Sequence, residues 1–105
     1  TRPADPEPNT RHGFHLYTLL IDEARSGMSR DAFMEAMTAR RIGVGVHYLS
    51  LAEHPYYRER FGWRTADYPA ADRIGCQTVS LPLSPKLTDD DVERVVSAVE
   101  EALDS

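Results

Sequence analysis

Thr78-Val79-Ser80-Leu81-Pro82-Leu83, followed after a short turn by Thr88-Asp89-Asp90-Asp91-Val92-Glu93-Arg94-Val95-Val96-Ser97-Ala98-Val99-Glu100-Glu101-Ala102-Leu103, places a strand directly before a long amphipathic helix. Val92, Val95, Val96, Val99, Ala102 and Leu103 recur at helical spacing, so one apolar stripe faces a core. Thr88 with Asp91 three residues on approximates a capping box, with Asp where Glu or Gln is usual. The three aspartates are therefore helix-start electrostatics. A calcium loop would need spaced ligands and a central glycine, which this run lacks. Pro82 has no amide proton, which confines the strand over 78–83 to an edge or its own end.

Working upstream, Pro69 leads into a short helix over 70–77, and before it a helix is expected over 52–61, with Pro55 in its first turn and Gly62 as its stop. Residues 42–49, Ile-Gly-Val-Gly-Val-His-Tyr-Leu, alternate in the manner of a half-buried strand, and the two glycines let another backbone or a ligand come close. Ser29 caps a helix that should run from Arg30 to Arg40 or Arg41, with Phe33, Ala36 and Met37 on one face. Residues 14–22 are rich in aromatic and branched side chains and read as a strand, followed by a charged loop through Gly27. The order strand, helix, strand, helix, helix, strand, helix implies an α+β fold, a small sheet with helices packed on it. Pro3, Pro6 and Pro8 make residues 1–12 a proline-rich linker, the cut end of something longer, and leave 13–105 as the domain.

The length of 105 residues suits a single domain with its own core. A hydrophobic share of 41% with 28% charged residues is ordinary for a globular chain. Twelve Lys plus Arg against seventeen Asp plus Glu leave a net charge of -5, which argues against nucleic acid as a partner. No apolar run reaches the ~20 residues of a membrane span and no leader opens the chain, so no membrane partner and a cytoplasmic location are expected. Cys76 is the only cysteine, compatible with a reducing compartment.

Residue chemistry is sparse. His12, His15, His47 and His54 show no paired spacing for a metal, so no metal ligand is assigned. His12 and His15 belong at a strand end. His47, followed by Tyr48 at the end of a glycine-containing stretch, is either a core or rim histidine bonded to backbone or a group reaching an opening. Gly43-Val44-Gly45 lacks the third glycine of a phosphate loop. Tyr56, Tyr57, Phe61 and Trp63 form an aromatic cluster suited to packing against the rest of the domain; with Arg58, Arg60 and Arg64 the composition also fits an interface.

In order along the chain, Gly43-Val44-Gly45-Val46-His47-Tyr48, Glu53-His54-Pro55-Tyr56-Tyr57-Arg58, Tyr68-Pro69-Ala70-Ala71-Asp72-Arg73, Val79-Ser80-Leu81-Pro82-Leu83 and Leu87-Thr88-Asp89-Asp90-Asp91-Val92-Glu93-Arg94-Val95 resemble the C-terminal small domain of the DegT/DnrJ/StrS-type sugar aminotransferases. His15-Leu16-Tyr17 and Arg30-Asp31-Ala32-Phe33 fall where that family has a strand and a helix. The pattern departs at Ala52, where the family usually carries histidine, and at Arg41, where glycine is common.

The resemblance implies the C-terminal domain of a fold-type I enzyme that uses pyridoxal phosphate to move an amino group from an amino acid onto a nucleotide-linked keto sugar. It implies His47 and Tyr48 as substrate contacts, with His54 a third. It also implies a larger cofactor-binding domain of the same enzyme as partner, a homodimer when full length, and a role in polysaccharide or antibiotic sugar biosynthesis. Lys86, the only lysine, matches an ordinary surface position of the family. This chain alone is therefore expected to hold no catalytic residue, no cofactor-binding residue and no bound pyridoxal phosphate. The alternative is a free-standing, non-catalytic binding or interaction domain derived from the same fold.

Overall fold

The computed structural model describes residues 1–104 of the chain. Two strands, β1 (Tyr17–Leu20) and β2 (Thr78–Leu81), pair antiparallel with Tyr17 opposite Leu81 and Leu20 opposite Thr78. Around them stand α1 (Glu23–Ser26), α2 (Arg30–Ala39), α3 (Pro55–Phe61), α4 (Pro69–Gln77) and α5 (Asp89–Leu103). The α+β architecture expected from the sequence is thus the one observed.

The core lies where α2 and α5 meet the sheet. Phe33 and Met37 of α2 and Val79 of β2 are fully buried, joined by Ile21, Ile42, Val95, Ala98 and Ala102. Each large side chain removed from water in this way contributes about 1.5–3 kcal/mol. Both long helices start as expected. Ser29 accepts from the Ala32 amide, and Thr88 and Asp91 exchange both bonds of a capping box. The stripe on α5 is wider than the core it serves: Val95 and Ala102 are buried, while Val92 and Val96 remain about half exposed.

Helix α2 ends in a Schellman motif. The Ile42 amide donates to Met37 O at 3.0 Å and the Arg41 amide to Thr38 O at 2.9 Å, with Arg41 left-handed at φ 61°. That conformation is the one glycine adopts without cost, which accounts for glycine at this point in the pattern the sequence resembles.

Three expected elements differ. The strand over 14–22 contracts to β1, because Asp22 accepts from the Ala24 amide and caps α1, which Gly27 then closes in the left-handed region. The helix over 52–61 breaks in two. Pro55 pushes the residue before it into extended backbone, so His54 separates a 3₁₀ turn, Leu51–Glu53, from α3.

The strand over 42–49 is absent: only Gly45 bridges to Ser80, its amide donating to Ser80 O at 3.2 Å and its carbonyl accepting from Ser80 N at 2.7 Å. Beyond Gly45 the chain leaves the sheet and packs on α4. There the Ser50 backbone lies so close to Gly75 that a Cβ on Gly75 would stand 2.7 Å from Ser50 N. On the far side of the sheet, the Thr1 nitrogen donates to Leu20 O at 2.7 Å and the Leu20 amide donates to Thr1 O at 2.9 Å.

Candidate functional site

Ser80 turns its backbone toward Gly45, so His47, two residues beyond the bridge, approaches β2 from its open edge. Alternation of side chains along a strand puts the Ser80 hydroxyl on one face, and there it meets an imidazole. His47 Nδ1 and Ser80 Oγ lie 2.9 Å apart, and Ser80 is only 5% exposed. The ring has room because Gly45 has no side chain: a Cβ there would stand 3.1 Å from His47 Cε1.

His47 and Ser80 belong to the wall of a shallow cleft of about 290 Å³. Gly43, Val44, Gly45, Leu81, Pro82 and Leu83 also line it, together with His15 and Leu16. The mixture of two imidazoles, one hydroxyl and apolar walls suits a small polar ligand with an apolar face.

Tyr48 follows across a cis peptide bond, and its ring meets that of His47 edge to face with centroids 5.0 Å apart. It is 70% exposed. The structure thus brings His47 and Tyr48 into ring contact, while the cleft wall includes His47 and not Tyr48.

His54 lies elsewhere. It is exposed at the start of α3, with its ring 6.5 Å from that of Tyr57, and it does not line the cleft.

Tyr57 begins a local aromatic stack. Its ring lies nearly parallel to Trp63 at 5.3 Å, Phe61 lies 5.5 Å from Trp63, and Tyr68 continues at 5.5 Å from Trp63. Tyr56 and Phe61 stay more than half exposed, and the Arg60 guanidinium sits 5.8 Å over the Phe61 ring. These rings pack on one another rather than into the main core, which is the arrangement a sequence reading of domain packing did not anticipate.

Sequence reasoning noted that the glycines would admit a close neighbour but did not single out Ser80 or His15. The signal for Ser80 was a small polar residue alternating with Val79 and Leu81 in a buried strand. No comparable signal marked Gly75.

A second, more apolar cleft of about 380 Å³ lies between β2 and α5, walled by Tyr17, Leu81, Leu83, Leu87, Val92 and Val96. Elsewhere, Arg30 bridges elements. Its guanidinium donates to Gly75 O at 3.3 Å and Thr78 O at 3.2 Å, joining α2 to the end of α4. Cys76 is exposed on α4, and partial desolvation, followed by the nearby carboxylates of Asp72 and Glu53, pushes its thiol up, away from the thiolate that a nucleophile would need. The described residues do not fit pyridoxal phosphate. Lys86 is exposed in the turn before α5 and lines neither cleft.

The model of the DegT/DnrJ/EryC1/StrS aminotransferase family matches residues 1–100. Among curated proteins, the chain is 43% identical over 91 residues to an uncharacterized protein of Methanocaldococcus jannaschii, covering 87% of this chain and 24% of that protein. It is 42% identical over 90 residues to the spore coat polysaccharide biosynthesis protein SpsC of Bacillus subtilis, covering 85% of this chain and 23% of SpsC. The chain therefore spans about a quarter of the length of these relatives.

Proposed function

Because the chain belongs to the DegT/DnrJ/EryC1/StrS aminotransferase family, we propose that it is the C-terminal small domain of a nucleotide-sugar aminotransferase and supplies part of the substrate pocket. Residues 13–105 form this domain. Residues 1–12 are the connection to a larger domain that carries pyridoxal phosphate and its lysine, and the pairing of Thr1 with Leu20 supports a path for it along the outer edge of β1. The overall exchange turns an amino acid donor into its 2-oxo acid and a keto sugar into an amino sugar. This domain's own part is binding and orientation. His47 and Tyr48 contact the nucleotide-linked sugar, and His54 is a third contact at the edge.

The observation that carries the reading is the His47–Ser80 pair in the wall of a cleft whose other sides are apolar. A hydroxylated sugar ring offers oxygen atoms to an imidazole and a C–H face to leucine and proline. The name of the SpsC relative, a polysaccharide biosynthesis protein, supports a sugar as the acceptor. The open apolar cleft between β2 and α5 supports contact with the larger domain, since half-exposed Val92 and Val96 are costly to leave in water. Among the described residues no helix is long and apolar enough to cross a membrane. The working enzyme is a cytoplasmic homodimer on this reading.

The test is the reading frame around the Thr1 codon. A frame that continues upstream into a lysine-bearing domain, and whose product binds pyridoxal phosphate and aminates a nucleotide-linked keto sugar with L-glutamate as donor, is the expected result. A frame that encodes this segment alone, with no cofactor bound, overturns the reading in favour of a non-catalytic binding domain.

A further inference from the structure

Ser80 holds the key to which hydrogen-bonding face His47 shows its ligand. The Ser80 main chain is taken by Gly45, and its hydroxyl has one partner among the described residues, His47 Nδ1 at 2.9 Å. A hydroxyl proton on a residue only 5% exposed needs an acceptor. Nδ1 can accept only when it carries no proton. The neutral ring then keeps its proton on Nε2, the nitrogen without a partner among the described residues.

From this geometry we infer that Ser80 is a positioning residue that fixes His47 as the Nε2–H tautomer, so that the imidazole enters the cleft as a hydrogen-bond donor and selects an oxygen acceptor on the ligand. The acceptor class is a carbonyl, ether or phosphate oxygen. A ligand N–H or ammonium at that point is rejected, because two donors would face each other. Gly45 completes the device: its missing side chain lets the ring lie flat enough to reach Ser80, and any Cβ there would press on Cε1. The inference deepens the reading of His47 as a substrate contact and rests on it for the identity of the ligand, but the tautomer itself is measurable without ligand.

The experiment uses the full-length protein with ¹⁵N-labelled histidine, the His47 signals being assigned by their loss in His47→Ala. The expected result is a protonated Nε2 and an unprotonated, hydrogen-bonded Nδ1. Ser80→Ala should move the Nδ1 resonance toward that of a free imidazole nitrogen. Ser80→Cys keeps the packing with a weaker donor and should move it part of the way, while Ser80→Thr should restore it. Gly45→Ala should produce the same displacement without touching Ser80.

In turnover with a UDP-linked or dTDP-linked 4-keto hexose, Ser80→Ala should raise KM about tenfold, leave the L-glutamate half-reaction unchanged, and add nothing on the His47→Ala background. A proton found on Nδ1, or His47 nitrogens unmoved by Ser80→Ala and Gly45→Ala, overturns the inference. If His47→Ala leaves KM unchanged while the resonances behave as expected, the substrate role falls and the positioning role of Ser80 stands.

Discussion

Gly75 and Ser50 touch backbone to backbone: a Cβ on Gly75 would lie 2.7 Å from Ser50 N and 3.4 Å from Leu49 C. This contact pins the segment that carries His47 and Tyr48 against α4. Gly75→Ala has the better helix propensity but must push that backbone away. The expected outcome is a net loss of about 1–3 kcal/mol, seen as a lower urea midpoint, together with a weakened His47–Ser80 bond. An unchanged midpoint would mean that the segment is held by something else.

Arg41 is left-handed at φ 61° and closes the Schellman motif of α2. A non-glycine residue there costs about 1 kcal/mol or more, partly offset by the greater freedom of glycine in the unfolded chain. Arg41→Gly should therefore raise stability by about 0.5 kcal/mol. Thermal unfolding of the two proteins side by side checks the sign.

The Thr88 amide and hydroxyl hold the Asp91 carboxyl below its ordinary range. A carboxylate whose folded pKa is depressed adds stability above its unfolded pKa and loses it as pH falls through the folded value. The start of α5 should therefore weaken in acid, below about pH 4. Asp91→Asn should flatten that part of the stability-pH curve. Thr88→Ala, which removes the cap, should cost about 1 kcal/mol at neutral pH.

Arg30 donates to two carbonyls, Gly75 O and Thr78 O, with only 13% of its side chain exposed. Replacement by Met keeps the stem and leaves both carbonyls short of a donor. The expected cost is about 1–3 kcal/mol. Lysine should recover part of it, because both bonds leave the single nitrogen Nη1 and an ammonium also offers several donors from one nitrogen, on a slightly shorter stem. Urea unfolding of the Met and Lys variants measures both numbers.

Much of the fold was legible because local chemistry and tertiary packing agree in α2 and α5. Ser29, Thr88 and Asp91 cap those helices through contacts within one turn, and Phe33, Met37, Val95 and Ala102 fall on the faces that the periodicity names.

The stretch over 42–49 was misread because its alternation is real but its partner is not. The four-residue β2 bridges back to Gly45 alone, and the Gly75–Ser50 contact, distant in sequence, draws the chain away. The same contact hid the site. His47 was visible as a residue type in a suggestive place, whereas its bond to Ser80 depends on a bridge between segments that no local pattern reveals. His54 was placed with His47 by resemblance alone, and the structure sets its ring beside Tyr57.

The central claim is that this domain brings His47 and Tyr48 to a nucleotide-linked sugar. Steady-state kinetics of His47→Ala and Tyr48→Phe in the full-length enzyme test it most directly. Loss of one substrate hydrogen bond should raise KM for the nucleotide sugar about tenfold in His47→Ala and several-fold in Tyr48→Phe, with the L-glutamate half-reaction unaffected. Unchanged KM in both variants would contradict the account.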